Sequence, residues 1–187
     1  RLAALALLSR LDDGARAQAL WDAADNMTEK MGALGQLVRT GRAAGALSQM
    51  EQRFRDNRLV MDKFFGVQPM AAPPADAVAV ARQLAQRPDF DWKNPNRFRA
   101  LIGGLGANHA AFHAADGSGY DFVADWLIRL DPVNPQTAAR MSTAFETLNR
   151  YDADRQAMMR AELSRIRATP GLSRDVFEMT GRMLGNS

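Results

Sequence analysis

The apolar residues of this chain recur at every third or fourth position, and no run alternates with period two for long enough to make a strand. That periodicity confines the fold to the all-α class. Leu5, Leu8 and Leu11 open one stripe, and Ala17, Leu20, Trp21 and Ala24 form the next. Leu34, Leu37 and Val38 mark a third, Leu47, Met50 and Phe54 a fourth, and Val78, Ala81, Leu84 and Ala85 a fifth. The ten methionines fall mostly on the same faces, where a flexible thioether fills irregular gaps in a core.

Capping signals divide the stripes into helices of ordinary length. Asn94-Pro95 and Asn134-Pro135 each put Asn at an N-cap and Pro at the first helical position, where its missing N–H costs nothing. Ser173 is a third N-cap candidate, after the break at Pro170-Gly171. Pro69 through Pro74 reads as a connector and a possible point of subdivision. Asn108 to Gly119 is the longest loop candidate. Short connections favour antiparallel neighbours, so the expected architecture is stacked helical hairpins in a curved ARM/HEAT-like solenoid.

With 187 residues the chain is long enough to bury one substantial core, read here as a single domain over 1–187. It holds no cysteine, which excludes disulfides, thiolate metal sites and a cysteine nucleophile, and fits a reducing, cytoplasmic setting. No apolar run reaches the roughly 20 residues of a membrane span. Net charge is +3, but the basic residues are interleaved with acids, as in Arg155, Arg160, Glu162 and Arg165. Mixed charge of that kind describes solvated helix faces and argues against a nucleic-acid surface. The chain opens without Met inside an apolar pattern and shows no signal-peptide cleavage site, which predicts a piece cut from a longer protein.

Catalytic constellations are not apparent. His109 and His113 stand four apart, as two metal ligands on a helix would, yet Ala110 occupies the position where H-E-x-x-H needs its general base. Without a third ligand the expectation is no metal here. His113 instead reads as a structural residue holding the Phe112–Tyr120 loop through Asp116 or backbone groups. Gly103, Gly104 and Gly106 lack the preceding strand of a dinucleotide site and read as a close helix approach. Gly117-Ser118-Gly119 departs from a nucleophile elbow at both flanks and reads as a tight turn.

Several segments together resemble a known family: Ala24-Asp25-Asn26-Met27-Thr28, Leu59-Val60-Met61-Asp62-Lys63, Asn94-Pro95-Asn96-Arg97 with Arg99, and Phe112-His113-Ala114 with Asp116-Gly117-Ser118-Gly119-Tyr120. Asn134-Pro135-Gln136 with Arg140, and Arg150-Tyr151-Asp152 with Arg155, complete the set. In this order and spacing they resemble the C-terminal helical domain of bacterial aminopeptidase N, the zinc-dependent alanyl aminopeptidases of the gluzincin class.

The resemblance implies a larger parent that removes N-terminal residues from short peptides. Its zinc and its G-x-M-E-N and H-E-x-x-H motifs would lie in an upstream catalytic domain; Met50-Glu51-Gln52 only approaches the former. This domain would be the lid over that site, inactive alone and without a cofactor of its own. By the same resemblance Arg99, Gln136 and Arg140 match substrate-channel positions, where a cation attracts a peptide carboxylate or holds carbonyls. Gln136 and Arg140, four apart, share a helix face. His113, Asp116, Gly117, Gly119 and Tyr120 match a structural loop. Tyr151 and Asp152 are expected to cap the last long helix. The competing reading is a stand-alone helical-repeat module that binds a peptide or protein on its concave face.

Overall fold

Helix starts in this chain are set by single side chains that accept the first free backbone N–H groups. The computed structural model describes residues 2–185; Arg1, which opens the first apolar run, lies outside the described residues. Among the described residues there are twelve α-helices and no strand. They are α1 (Leu2–Leu8), α2 (Ala15–Ala23), α3 (Met27–Arg39), α4 (Ala44–Phe54), α5 (Arg58–Ala71) and α6 (Pro74–Ala85). The chain continues through α7 (Pro95–Ala107), α8 (His109–Phe112), α9 (Ser118–Leu130), α10 (Pro135–Ser142), α11 (Ala153–Arg167) and α12 (Arg174–Leu184). No helix among the described residues is long and apolar enough to cross a membrane.

The Asn-Pro starts form as the sequence predicts. Asn94 accepts from the Asn96 N–H at 3.0 Å and Asn134 from the Thr137 N–H at 3.0 Å. Ser173 accepts from the Val176 N–H at 3.3 Å, and Asp152 caps α11 by accepting from Arg155 N–H at 3.0 Å. A cap of this kind contributes about 1 kcal/mol. Asn26 and Asn57 cap α3 and α5 in the same way.

Three expectations about boundaries need correction. The stretch from Asn108 to Gly119 is not one loop, since α8 takes up His109–Phe112 and α9 begins at Ser118. Pro69 lies inside the last turn of α5, so the connector before Pro74 shrinks to Ala72-Pro73. At that helix end the Asn108 side-chain amide donates to Pro69 O at 3.0 Å and Ala72 O at 2.9 Å, satisfying carbonyls that have no partner within the helix. The first stripe also stops short: α1 ends at Leu8, and Leu11 sits in the following turn with 83% of its surface exposed. That turn closes on Gly14, whose φ of 83° is the left-handed conformation glycine adopts without strain.

Alternate helices pack into two layers. One contains α1, α3, α5, α7, α10 and α12, each touching the next; the other contains α2, α4, α6, α9 and α11, with short α8 filling the corner between α6, α7 and α9. This alternation is the stacked-hairpin solenoid expected from the periodicity. One continuous core runs from Leu5 to Val176. Its middle is aromatic: Phe90, from the segment between α6 and α7, sits 5.7 Å from Phe65 and 5.3 Å from Trp126. Burying a side chain of that size contributes roughly 2–3 kcal/mol.

In the first layer α5 and α7 cross at a pair of glycines. A Cβ on Gly104 would stand 2.5 Å from the Gly66 carbonyl oxygen, so the two backbones touch where neither has a side chain. Gly103 and Gly106 are not at the crossing: a Cβ on Gly103 would meet only Met141, and one on Gly106 nothing within 4 Å. A buried ion pair locks the same two helices. Arg97 Nε donates to Asp62 Oδ1 at 2.6 Å, its Nη1 donates to Asp89 O at 2.7 Å, and the guanidinium lies over Phe65.

Candidate functional site

The loop carrying both histidines is a structural knot. His113 ends α8 with its ring buried, and its Nδ1 shares a 2.8 Å hydrogen bond with the Tyr120 hydroxyl, across the turn at Gly117. The Tyr151 ring stacks on it at 3.8 Å, and Arg155 Nε donates to its carbonyl at 2.7 Å. The sequence points to Asp116 or backbone groups as the partner of the imidazole; the ring meets the Tyr120 hydroxyl instead, and Asp116 accepts from the N–H and hydroxyl of Ser118 at 3.1 and 2.8 Å. Those bonds hold the Asp116 carboxyl below its usual range. Tyr151 likewise stacks on His113, and Asp152 alone caps α11. Gly117 has a φ of 69°, and a Cβ on Gly119 would stand 2.6 Å from the Phe112 carbonyl oxygen.

Burial, then the nearby charges of His109 and Arg155, pushes the His113 imidazole down to about 4. Burial pushes the Tyr120 phenol up to about 12, with Arg155 pulling the other way. The folded state therefore holds His113 neutral. Between pH 6.5 and 4 the unfolded chain takes up a proton that the folded chain refuses. The stabilisation is complete above pH 6.5 and is lost as pH falls towards 4, amounting to about 2–3 kcal/mol. His113→Phe keeps a stacked ring and cannot titrate. Urea midpoints measured from pH 7 to 4 should fall more steeply in the wild type than in His113→Phe; equal slopes would remove His113 from the pH response.

The histidine pair does not suit a metal. The two rings are 6.4 Å apart in an edge-to-face arrangement, and among the described residues no group of three or more His, Asp or Glu side chains converges.

The first layer has a different character. Arg99 on α7 and Gln136 and Arg140 on α10 are exposed, and these two helices are neighbours in that layer. Arg99 donates only to neutral acceptors of its own first turn, Pro95 O at 2.9 Å and Asn96 Oδ1 at 3.1 Å. Among the described residues no carboxylate pairs with Arg99 or Arg140, and the side chains of Gln136 and Arg140 have no hydrogen-bond partner. Other arginines do find an acid: Arg165 reaches Asp125 at 2.7 Å and Glu162 at 2.6 Å, and Arg87 reaches Glu51 at 2.5 Å.

Beside Arg99, the close crossing of α5 and α7 leaves an open trough of about 770 Å³. Leu59, Lys63, Met70, Asn96, Gly103 and Ala107 are among its walls. Asn96 is the residue that holds the Arg99 guanidinium, so Arg99 stands at the trough's rim. The sequence offered no direct sign of this trough, although Leu59 and Lys63 belong to a segment already singled out. The trough sets the Lys63 ammonium and the Asn96 amide against an apolar wall, with the Arg99 guanidinium beside Asn96, a set that suits an extended peptide with a carboxylate end.

The sequence model of a family described as a domain of unknown function (DUF3458_C) with ARM repeats matches residues 1–185. The chain belongs to this ARM-repeat family. It is 40% identical over 164 residues to aminopeptidase N of Escherichia coli, covering 86% of this chain and 19% of that protein. It is 38% identical over 165 residues to aminopeptidase N of Haemophilus influenzae, with the same two shares. Among solved structures it resembles Legionella pneumophila aminopeptidase A in complex with aspartic acid, with a TM-score of 0.86 and 31% identity over 93% of this chain and 21% of that one. The chain thus spans about a fifth of the length of these relatives, and the resemblance to the C-terminal helical domain of aminopeptidase N stands.

With the DUF3458_C fold in hand, the recognised motifs separate by role. Asn26, Asn94, Asn134 and Asp152 cap helices; Asp62 and Arg97 pair across α5 and α7; His113, Tyr120, Tyr151 and Arg155 form the knot. Arg99, Gln136 and Arg140 face solvent without an acidic partner, as do Lys63 and Arg150 of the same motif segments.

Proposed function

We propose that this chain is the C-terminal domain of a zinc aminopeptidase, the lid over a catalytic domain that lies upstream in the longer protein. The whole protein would release N-terminal amino acids from short peptides in the cytoplasm. The zinc ion and the bond-breaking groups belong to the catalytic domain, and this chain alone is inactive. Its part is to wall the cavity above the active site, to keep out folded proteins, and to hold the peptide beyond the cleaved bond. Nucleic acid and membrane have no part in that role.

One observation carries the reading: Arg99, Gln136 and Arg140 stay unpaired with acids on one layer of a domain whose relatives are aminopeptidases. An arginine that pairs with nothing in its own fold is available to a ligand carboxylate or carbonyl. That the relatives are about five times longer favours the lid over a free-standing helical module.

The test is kinetic. In the intact enzyme, Arg140→Ala should raise KM for tetrapeptides about tenfold, the loss of one charge-assisted hydrogen bond. Values for single-residue amides, which do not reach so far, should stay as they are. Equal effects on both substrates would contradict a contact with the distal part of the peptide.

A further inference from the structure

The segment Ala24-Asp25-Asn26-Met27-Thr28 joins α2 to α3, and the capping of α3 uses Asn26 alone of its polar side chains. Asp25 beside it is exposed and lines a cavity of about 320 Å³ formed by the end of α2, the start of α3 and α4. Cavities of that size stand at the lower end of the range of small-ligand pockets. The apolar lining is Trp21, Ala24 and Met50, which are buried, with Met27 and Phe54, which are half-buried.

The polar lining is held in place yet left with free donors and a free acceptor. Trp21 Nε1 donates to Gln49 Oε1 at 3.0 Å, which fixes the Gln49 amide and leaves its Nε2 without a partner among the described residues. Lys30 Nζ donates to Trp21 O and lies 4.8 Å from the centre of the Trp21 ring, so its charge is kept at the pocket. The Arg53 guanidinium lies 5.3 Å from the centre of the Phe54 ring, and among the described residues it has no hydrogen bond and no carboxylate partner. Asp25 accepts at Oδ1 from Asn26 Nδ2 at 3.1 Å and keeps Oδ2 free. Asp25 and Arg53 thus line one cavity from two elements and make no ion pair with each other.

We propose that this pocket is a binding site for a free α-amino acid with an apolar side chain. The carboxylate takes the Arg53 guanidinium and Gln49 Nε2, the ammonium takes Asp25 Oδ2, and the side chain lies against Met27, Met50 and Phe54. Two cations, Lys30 and Arg53, against one acid favour a ligand with a carboxylate over a bare amine. A simple anion would face the Asp25 carboxylate and leave the apolar lining wet. A residue inside a peptide carries neither terminal charge and would leave both Asp25 and Arg53 unmatched. The inference stands on the pocket and goes beyond the aminopeptidase reading; under that reading, apolar amino acids are among the molecules the enzyme releases.

The experiment uses the full-length protein with isotope-labelled methionine methyl groups, the Met27 and Met50 signals being assigned through Met27→Leu and Met50→Leu. It reads chemical shifts and no activity, so it can fail while the aminopeptidase reading holds, and the reverse. L-Phenylalanine should move both signals along a saturating curve with half-saturation at about 1 mM. Phenethylamine, which lacks the carboxylate, and hydrocinnamate, which lacks the ammonium, should each bind about tenfold more weakly. Arg53→Gln should erase the difference between phenylalanine and phenethylamine, and Asp25→Asn the difference between phenylalanine and hydrocinnamate. Both substituted side chains are exposed, so the unfolding temperature should stay as it is. Shifts that do not saturate, that are equal for the three ligands, or that persist at full strength in Arg53→Gln and Asp25→Asn would each overturn the proposal.

Discussion

Replacing Arg97 by Met should destabilise the fold by about 3–5 kcal/mol, among the largest losses any single side chain here can cause. The guanidinium is nearly buried and makes three contacts that nothing else replaces: Asp62 Oδ1 at 2.6 Å, Asp89 O at 2.7 Å, and the face of Phe65. Methionine fills most of the volume, so the loss measures the charge left behind on Asp62, whose side chain is only 16% exposed. The double variant Asp62→Leu with Arg97→Met removes both charges and should recover much of the stability, because a buried pair is worth far less than the cost of breaking it. Urea unfolding of the four proteins closes the cycle. A cost below about 1 kcal/mol for Arg97→Met would show that the pair does not hold α5 to α7.

The second large effect comes from a single methyl group. Gly104→Ala would set a Cβ 2.5 Å from the Gly66 carbonyl oxygen and 3.2 Å from its carbonyl carbon and Cα, all backbone atoms that cannot swing aside. The helices must part, at a cost of about 3 kcal/mol from overpacking. The same substitution at Gly35, in the interior of α3, meets only Val67 Cγ2 at 3.9 Å, an ordinary contact. There the gain in helix propensity should stabilise by up to about 1 kcal/mol. Opposite signs for one substitution in two helices of the same layer are expected in thermal or urea unfolding. A neutral Gly104→Ala would mean that α5 and α7 do not cross so closely, and the trough beside Arg99 would then have another shape.

Local chemistry was legible in the sequence, and long-range pairing was not. Asn94, Asn134 and Ser173 cap helices by bonds to residues two or three positions on, so their types and spacing are enough to place them. Pro69 misleads because it sits in the last turn of α5, whose free carbonyl is met by Asn108, 39 residues away. His113 has an acid three residues on, yet the turn at Gly117 delivers Tyr120 to it instead. Arg97 and Asp62 both stand in the recognised segments, but their pairing had no local sign, since the two lie 35 residues apart. Leu8 and Leu11 continue a helical pattern in sequence while the chain turns at Asp13 and Gly14, and Leu11 is left exposed in that turn. For the candidate site, the resemblance pointed to Arg99, Gln136 and Arg140; the trough between α5 and α7 depends on a glycine contact between distant segments and had no local sign.

The central claim is a division of labour, in which buried motif residues hold the domain and the exposed Arg99, Gln136 and Arg140 hold the peptide. It is tested most directly in the intact enzyme by the triple variant Arg99→Ala, Gln136→Ala, Arg140→Ala, followed by thermal unfolding and by KM for tetrapeptides and for single-residue amides. The expected result is an unchanged unfolding temperature, an unchanged KM for amides, and a KM for tetrapeptides raised by at least the tenfold of one lost contact. Unchanged tetrapeptide kinetics, or a lowered unfolding temperature with both substrates affected alike, would contradict it.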